Sequence, residues 1–138
     1  SESVTSSRRK NRKAHFASDM TTRRKLMSAR LDKALVETHG VRSLPICKGD
    51  EVKIVRGKQK AKEGKVTAVM RKRFCIHVER VVRKTARGHE VQLPIDPSNC
   101  IIVRLGTLKG SRATIIDRKR EGRAAKIAKL GGGIDDVE

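Results

Sequence analysis

The spacing of hydrophobic positions changes several times along the chain, and each change marks a different kind of structure. Residues 1–17 show no hydrophobic periodicity, so we expect an extended basic arm that is disordered in water and becomes ordered when bound. Over residues 18–47 the pattern is helical, with Ser18 as the cap of a first helix. A second helix over 31–38 ends at Gly40, a residue type that commonly terminates helices. This segment is therefore predicted to form two short helices and a linker.

Residues 48–106 show the alternation of β structure, with hydrophobic residues at every second position of several short runs. The turn Arg71–Arg73 joins two of the predicted strands into a hairpin. In the last strand, the alternation places Ile101, Val103 and Leu105 on the inner face. Five strands in fewer than 60 residues predict a small, strongly bent barrel. The predicted strands cover residues 51–56, 64–71, 74–80, 91–93 and 100–105.

A barrel of this size is expected to depend on its surroundings for stability. It buries only about 60% of its unfolded surface, so packed helices and a bound partner should stabilise it further. One such helix is predicted in residues 107–138, where Ser111 can act as the cap and Ile116 marks an apolar side. Gly122 weakens the continuation of this helix by roughly 1 kcal/mol. Residues 131–138 are predicted to form a flexible acidic end.

Positive charge dominates every part of the sequence. The 138 residues include 34 Lys and Arg against 15 Asp and Glu, which gives a formal net charge of +19. Residues 1–48 carry 12 basic and 4 acidic side chains, residues 49–106 carry 14 and 6, and residues 107–138 carry 8 and 5. Nucleic acid is the usual partner of such a chain, because Lys and Arg that cover phosphates release condensed counterions. A polybasic membrane-surface protein would carry an amphipathic helix or a lipidation signal, and the sequence has neither.

Aromatic side chains are nearly absent from the sequence. It contains no Trp and no Tyr, and Phe16 and Phe74 are its two phenylalanines. Proteins that bind single strands stack splayed bases on aromatic platforms. We therefore expect this chain to recognise folded RNA by its shape and phosphate backbone rather than by base stacking.

Residue types that carry catalysis or bind metals are scattered along the sequence. The three cysteines lack CxxC spacing and the four histidines match no ligand pattern, so we expect no metal and no cofactor. The cysteines are interpreted as buried apolar residues in a reducing compartment. The absence of GxSxG, Walker and HExxH motifs predicts that the protein is not an enzyme. The sequence has no apolar run of roughly 20 residues and no signal peptide, which predicts a cytosolic or transiently nuclear location.

The segment Lys48–Val69 combines strand patterns with a basic loop. Gly57 and Gly64 bracket this loop, and glycine lets a backbone adopt positive φ or come close to a partner. The loop has no hydrophobic side chain that needs a core, so its cations should project outward and suit phosphate contact. These cations are Lys58, Lys60, Lys62 and Lys65.

This segment resembles the KOW motif, and the segments around it extend the resemblance from about residue 6 to residue 120. The whole is similar to the universal KOW family of large-subunit ribosomal proteins, named L twenty-six in eukaryotes and equivalent to L twenty-four in bacteria. The matching segments are SSRRKNRKAHF (6–16), RRKLMSA (23–29), VRSLPI (41–46), KGDEVKIVRG (48–57), EGKVTAV (63–69), IHVERV (76–81) and IDPSN (95–99).

The resemblance implies a mostly β fold, an SH3-like barrel with a basic N-terminal arm, short N-terminal helices and a C-terminal helix. It also implies a structural role in the large subunit, with binding of the 5′ region of its rRNA, a part in early assembly, and a position near the polypeptide exit tunnel. The expected partners are rRNA and neighbouring ribosomal proteins, without self-association, in the cytoplasm after nucleolar transit in a eukaryote. The RNA contacts carried over are Arg8, Arg9, Lys10, Asn11, Arg12, Lys13, His15, Arg23, Arg24, Lys25, Arg42, Arg56, Gly57, Lys58, Lys60, Lys62, Gly64, Lys65, Arg71, Lys72 and Arg73.

Four positions depart from the family pattern. Phe74 stands where the family typically has Trp or Tyr, and Met70 stands where it has Tyr. Ala61 stands where the family usually has a glycine in the loop, and Arg30 replaces a proline, which predicts a longer first helix. The alternative function is that of a KOW-type transcription or RNA-processing factor that recruits protein partners. Such a factor needs an exposed apolar contact surface and usually a domain before the barrel, for which residues 1–48 are too basic and too short.

Overall fold

The computed structural model of the chain describes residues 4–108 and 110–131, and within these ranges it contains four α-helices, two short 3₁₀ helices and eight strands. The α-helices are α1 (Arg8–Phe16), α2 (Met20–Leu26), α3 (Lys33–His39) and α4 (Ser111–Gly131). The strands are β1 (Ser28–Leu31), β2 (Ser43–Pro45), β3 (Glu51–Ile54), β4 (Glu63–Met70), β5 (Cys75–Val78), β6 (Val82–Lys84), β7 (Glu90–Gln92) and β8 (Cys100–Arg104).

Six of the strands form one sheet in the order β2-β1-β8-β3-β4-β5, and β6 with β7 forms a separate hairpin. The pair β1–β8 is parallel and the other pairs are antiparallel. Leu44 on the first strand of the sheet and Ile76 on the last belong to the same buried core, so the sheet curves around that core. The predicted small, mostly β, barrel-like fold with helices at both ends of the chain is confirmed.

Local sequence accounts for the curvature of the sheet. In β3, Val52 and Ile54 are buried while Lys53 between them is exposed, as expected for a strand with one face on the core. The register of β4 against β5 shifts between Val66 and Ala68, and such a bulge bends and twists a strand. The predicted turn Arg71–Arg73 is a short 3₁₀ helix that closes the β4–β5 hairpin, as expected.

The predicted inner face of β8 is wrong by one residue. Cys100 and Ile102 are buried, whereas Val103 is 39% exposed. β8 lies in the middle of the sheet, where Ile102 pairs with Val52 of β3, and this register decides which face meets the core. A shift of one residue moves every side chain of a strand to the other face. Leu105 lies beyond the end of the strand. Its hydrophobic side chain therefore does not indicate which face of β8 meets the core.

The N-terminal segment also differs from expectation. Residues 8–16 form a helix instead of an extended arm, with the Asn11 side chain donating to the Thr5 carbonyl at 2.9 Å. Asp19, rather than Ser18, caps α2 by accepting hydrogen bonds from two backbone amides of its first turn. These bonds lower the pKa of Asp19, with the largest contribution from Thr22. Arg30 does not lengthen a helix, because it lies in β1 between β2 and β8.

Three strands were not predicted, and they have a common explanation. β1, β2 and β6 lie outside the runs of alternating hydrophobic residues, and each is defined by its pairing with another strand rather than by a pattern of its own. The sheet therefore begins before residue 48. The predicted helix at 31–38 is α3, and it ends at Gly40 in the left-handed conformation with a φ of 68°, as expected. Of the predicted acidic end, only Gly131 lies within the described residues, as the last residue of α4.

A buried ion pair fastens α4 to the sheet. Asp50 is fully buried and Arg112, in the first turn of α4, is 5% exposed. The guanidinium donates to both carboxylate oxygens, Nη1 to Oδ1 at 2.6 Å and Nη2 to Oδ2 at 2.7 Å. The same carboxylate accepts the backbone N–H groups of Cys47 at 2.9 Å and Gly106 at 2.8 Å. Burial acts to lower the pKa of Arg112, but the hydrogen bonds and charge of Asp50 raise it on balance.

Two glycines allow backbones to approach each other. A Cβ at Gly64 would lie 2.7 Å from the carbonyl oxygen of Glu79 and 2.9 Å from a methyl group of Val78. A Cβ at Gly106 would lie 2.9 Å from the backbone of Gly49. Gly64 is therefore required by packing inside the protein. The sequence pattern instead predicted that it allows a binding partner to come close.

Removal of the buried carboxylate should strongly destabilise the fold. Asp50→Ala leaves the Arg112 guanidinium buried without a counter-charge, and we expect a loss of about 3–5 kcal/mol in the free energy of unfolding. Urea unfolding of the full chain, followed by circular dichroism, measures this loss. The matched control is Glu51→Ala, which breaks the exposed 3.6 Å pair with Arg104 and should change stability by less than about 1 kcal/mol. Equal urea midpoints for the two variants would contradict the assignment.

The same substitution at two glycines should have opposite effects. Gly64→Ala places a methyl group against backbone and should destabilise the fold by about 1–3 kcal/mol. Gly122→Ala adds a methyl group in open space within α4 and should stabilise the helix by up to about 1 kcal/mol. Thermal unfolding of both variants tests the pair, and a Gly64→Ala variant as stable as the parent chain would refute the close approach.

Candidate nucleic-acid interface

Arg23 joins α1 to the turn of the β4–β5 hairpin. Its guanidinium donates to two carbonyls at the end of α1, from Nη2 to Phe16 at 2.6 Å and from Nε to Ser18 at 2.9 Å. Its Nη1 donates to two carbonyls in the turn, those of Lys72 at 3.2 Å and Arg71 at 3.4 Å. Four of its five N–H donors lie within reach of backbone carbonyls, so its planar fork is occupied within the protein. We call this arrangement the Arg23 clasp.

The two phenylalanines of the chain meet at the same place. The ring of His15 stacks on Phe74 with centroids 4.3 Å apart and planes 22° apart, and Phe16 meets Phe74 edge-on at 6.1 Å. The guanidinium carbons of Arg12 and Arg23 lie 4.9 Å and 4.8 Å from the ring centroids of Phe16 and Phe74. Such cation–π and stacked contacts each contribute roughly 0.5–1.5 kcal/mol. The aromatic side chains therefore hold α1 on the hairpin turn.

The clasp brings two basic segments of the chain together on the surface. All residues of α1 are exposed, and the three cations of the turn are exposed beside them. We call the following eight side chains the arm cluster: Arg8, Arg9, Lys10, Arg12, Lys13, Arg71, Lys72 and Arg73. In α1, Arg8 and Arg12 are separated by four residues, as are Arg9 and Lys13, and like charges at this spacing repel each other. An anion bound at the cluster would relieve this repulsion.

The basic loop between β3 and β4 forms a second group of cations. Gly57 has a φ of 88° and Ala61 a φ of 71°, so both ends of the loop use the left-handed conformation. Ala61 donates its N–H to the Ile54 carbonyl at 2.8 Å, and the Ile54 N–H donates to the Lys62 carbonyl at 2.9 Å. These bonds close the base of the loop. Its exposed cations, which we call the loop cluster, are Arg56, Lys58, Lys60 and Lys62.

Gly64 and Lys65 lie outside this loop, in β4. Lys65 pairs across the sheet with Glu51, and the shallow cleft beside it is also lined by Glu63 and Glu79. Lys53 bonds Glu63 at 2.8 Å on the same side. The two predicted contact residues therefore sit on a face of mixed charge, apart from the exposed loop cations.

Three further predicted contacts, Arg24, Lys25 and Arg42, lie beside α4. Arg24 and Lys25 line one cleft of about 460 Å³ between α2 and α4, and Arg42 lines a second cleft of about 460 Å³ near the end of α3. α4 contributes four cations to these clefts that the sequence analysis did not include: Arg118, Lys119, Arg123 and Lys126. The available signal was their spacing, because residues three and four apart share one side of a helix.

Other kinds of chemistry find no support in the part of the chain that the structure describes. It holds no group of three or more His, Cys, Asp or Glu side chains arranged for a metal ion. Burial raises the pKa of the Cys100 thiol to about 11, with a smaller contribution from Asp96, so the thiol is protonated and unreactive at neutral pH. None of the helices in residues 4–108 and 110–131 is both long and apolar enough to cross a membrane.

Comparison with known proteins gives consistent results. Residues 5–119 match the family that comprises ribosomal protein L26 of eukaryotes and its archaeal L24 counterpart. The large ribosomal subunit protein uL24 of Schizosaccharomyces pombe is 46% identical over 119 residues, which are 86% of this chain and 94% of that protein. Its counterpart in Littorina littorea is 44% identical over 129 residues, covering 93% of this chain and 89% of the relative. The uL24 of Caenorhabditis elegans is 40% identical over 129 residues, covering 94% and 90%.

Both the matched length and the identity exceed what a shared fold alone would produce, and the match includes the arm, the sheet and the first turns of α4. The chain therefore belongs to the family of ribosomal proteins named L26 in eukaryotes, with L24 as the archaeal member.

Proposed function

We propose that this chain is a structural constituent of the large ribosomal subunit that binds and stabilises large-subunit rRNA through its phosphate backbone. The observation that carries the proposal is the arm cluster, in which the Arg23 clasp brings the cations of α1 and of the hairpin turn side by side. Family membership supports the same role, and it assigns the chain to structural proteins rather than to enzymes.

Phosphate is the ligand that best fits the arm cluster. Arg and Lys offer hydrogen-bond donors and no acceptors, and exposed cations of this kind contact phosphate oxygens without reading sequence. Phe74 is covered by His15 and Arg23, and the ring of Phe16, which is 53% exposed, has Arg12 beside it. One exposed phenylalanine is too few for a platform that stacks several bases. RNA would then be recognised by the shape of its backbone.

The predicted contact residues take different parts in this proposal. The arm cluster and the loop cluster touch phosphate directly, with Asn11 between cations of α1 and Gly57 leaving open space for close approach of a backbone. Arg23 and His15 act by positioning α1. Gly64 and Lys65 shape the strand that follows the loop. In this proposal the chain has four functional parts. They are the arm (1–17), the helices and linker (18–47), the barrel (48–106) and the C-terminal helix with its tail (107–138).

The wider role follows from the family resemblance. We propose that the chain binds the 5′ region of the rRNA during early assembly and lies near the polypeptide exit tunnel, beside other ribosomal proteins and without self-association. It would work in cytoplasmic ribosomes, after passage through the nucleolus in a eukaryote. The alternative of a transcription or RNA-processing factor makes a different prediction, because such a factor should be released from large subunits by a high-salt wash.

Single changes in the loop cluster should have small and uniform effects on binding. Lys58→Ala, Lys60→Ala and Lys62→Ala should each weaken binding to protein-free large-subunit rRNA only modestly. Each should also lower the slope of log K against log salt by about one unit, because one phosphate contact is lost. Filter binding over a salt series measures both quantities. Loss of all binding in one variant, with the slope unchanged, would contradict a mechanism that distributes contacts over many phosphates.

Arg23 should be sensitive to a substitution that keeps its charge. Arg23→Lys retains the cation but cannot bridge four carbonyls with a planar fork, so α1 should separate from the hairpin turn and rRNA affinity should fall. The control is Arg87→Lys, because Arg87 is an exposed residue of the loop after β6, outside the arm and loop clusters. Hydrogen exchange of the α1 amides and the rRNA affinity are the two measurements. If both variants keep protected α1 amides and full affinity, the clasp does not position the arm.

A further inference from the structure

Basic residues of α4 line the clefts beside the helix and its described acidic residues do not, although Asp117 pairs with Arg120 at 3.2 Å. Arg118, Lys119 and Lys126 line the clefts between α4 and the rest of the protein, whereas Asp117 and Glu121 line neither cleft. Residues that point from a helix toward a protein body are usually apolar. Here only the first turns follow that pattern, with Ile116 buried and Ile115 half-buried. Beyond them, α4 lines the clefts with four cations and one apolar side chain, that of Ile127.

The two clefts meet at Lys119, which lines both of them. Its ammonium donates to the Ser43 carbonyl at 2.8 Å, and Arg123 donates to the Gly40 carbonyl at 3.2 Å. These bonds fix the two cations against the body and leave their charges without a carboxylate partner among the described residues. We call the two clefts together the helix groove, and no Asp or Glu of the described residues lines it.

The helix groove differs in charge from the cleft that lies along β3 and β4. The cleft beside Gly64 is lined by three glutamates and two cations. The helix groove is lined by cations alone among its charged residues in the described part of the chain, with Arg24 and Lys25 at one end and Lys126 at the other. Burial also lowers the pKa of Lys119, since the groove partly removes its ammonium from water. A cation held in such a place is stabilised when an anion joins it.

The geometry points to a second RNA-binding site: we infer that the helix groove holds a stretch of RNA phosphate backbone between α4 and the sheet. The inference rests on the proposed function for the identity of the polyanion. Lys119, Arg123 and Lys126 recur at nearly one-turn intervals, about 5 Å apart along the helix axis, which presents a row of donors to a repeating phosphate chain. An acidic protein segment would use aromatic anchors and pockets to bind tightly. The groove has apolar lining residues in Val41, Ile115 and Ile127 but no aromatic side chain among the described residues that line it, so its row of cations favours a phosphate backbone.

The groove also explains why α4 continues so far. Among the described residues, Arg123 makes the last hydrogen bond between α4 and the rest of the protein. The helix extends eight residues further, to Gly131. Isolated helical turns are marginal in water, and Gly122 weakens them further. A backbone lying against Arg118, Arg123 and Lys126 would neutralise the charges that these turns carry.

Three charge-matched variants of the full chain test the inference. The groove variant combines Arg118→Gln, Arg123→Gln and Lys126→Gln. The hairpin variant combines Arg83→Gln, Lys84→Gln and Arg87→Gln, which are exposed residues of β6 and the following loop. The arm variant combines Arg8→Gln, Arg9→Gln and Lys13→Gln. Each loses three positive charges, so a difference in affinity for protein-free large-subunit rRNA reflects position rather than total charge.

We expect the groove variant to bind this rRNA at least about tenfold more weakly than the hairpin variant, with a salt slope lower by about two to three units. Reactivity provides a measurement that needs no substitution. When rRNA is added to the unaltered chain, Lys119 and Lys126 should be protected from acetylation, while Lys84 should remain reactive. Thermal unfolding of each variant establishes that the fold is retained.

The outcomes separate the two levels of the proposal. In one outcome, the arm variant binds rRNA differently from the unaltered chain, the groove and hairpin variants bind equally well, and the groove lysines stay reactive. This outcome overturns the groove inference and leaves the proposed function standing. If the unaltered chain shows no salt-dependent affinity for rRNA, the proposed function fails and the groove inference fails with it. Crosslinking of Lys126 to an acidic protein segment instead of RNA in assembled particles would also overturn the inference.

Discussion

The carboxylate of Asp50 is the constraint on which the rest of the structure depends. It accepts two hydrogen bonds from Arg112 and one each from the backbone of Cys47 and Gly106, so the segment before β3, the segment after β8 and the start of α4 converge on one group. Breaking a buried pair of this kind leaves a charge in a medium that cannot solvate it. The Nε of Arg112 remains without a partner among the described residues, and it is tolerated because the other donors of the guanidinium are satisfied. The position of α4, and therefore the helix groove, follows from this pair.

A second theme is how the fold accommodates a formal charge of +19. Arg23, Lys119 and Arg123 are oriented by backbone carbonyls rather than by carboxylates. A carbonyl fixes the direction of a cation and leaves its full charge available to an outside anion, whereas a carboxylate would cancel that charge. Two glutamates of β3 and β4, Glu51 and Glu63, pair instead with Arg104 and Lys53. Cations that are neutralised by glutamates and cations that remain available to an outside anion therefore lie on different faces of this small fold.

The features that the sequence could predict are those in which local pattern and tertiary structure agree. The β4–β5 hairpin, the helix ending at Gly40 and the terminal helix all follow from spacing that the fold preserves. The inner face of β8 could not be predicted, because its register is set by pairing with β3 rather than by its own residues. The helix at residues 8–16 also depends on distant partners, since its end is held by Phe74 and by the clasp. For the candidate site, clusters of Lys and Arg in the sequence predicted the arm and the loop. They did not predict that Arg23 is bound to backbone carbonyls inside the protein, or that α4 contributes cations. Ala61 shows the opposite case: it keeps the left-handed loop conformation that the family usually assigns to glycine, with a φ of 71° and a strain of roughly 1–2 kcal/mol.

The Arg23 clasp has a consequence for the order in which the molecule is made. Arg23 binds carbonyls that lie 48 and 49 residues later in the chain, and Asp50 binds a guanidinium 62 residues later. A ribosome synthesises the N-terminal segment first, so the most basic part of the chain emerges well before the partners that give it a defined position. During that interval it is an exposed polycation among nucleic acids, able to bind any of them. Arg23 can hold this segment in a defined position only after the hairpin turn has been synthesised, because the turn supplies two of the carbonyls that it binds.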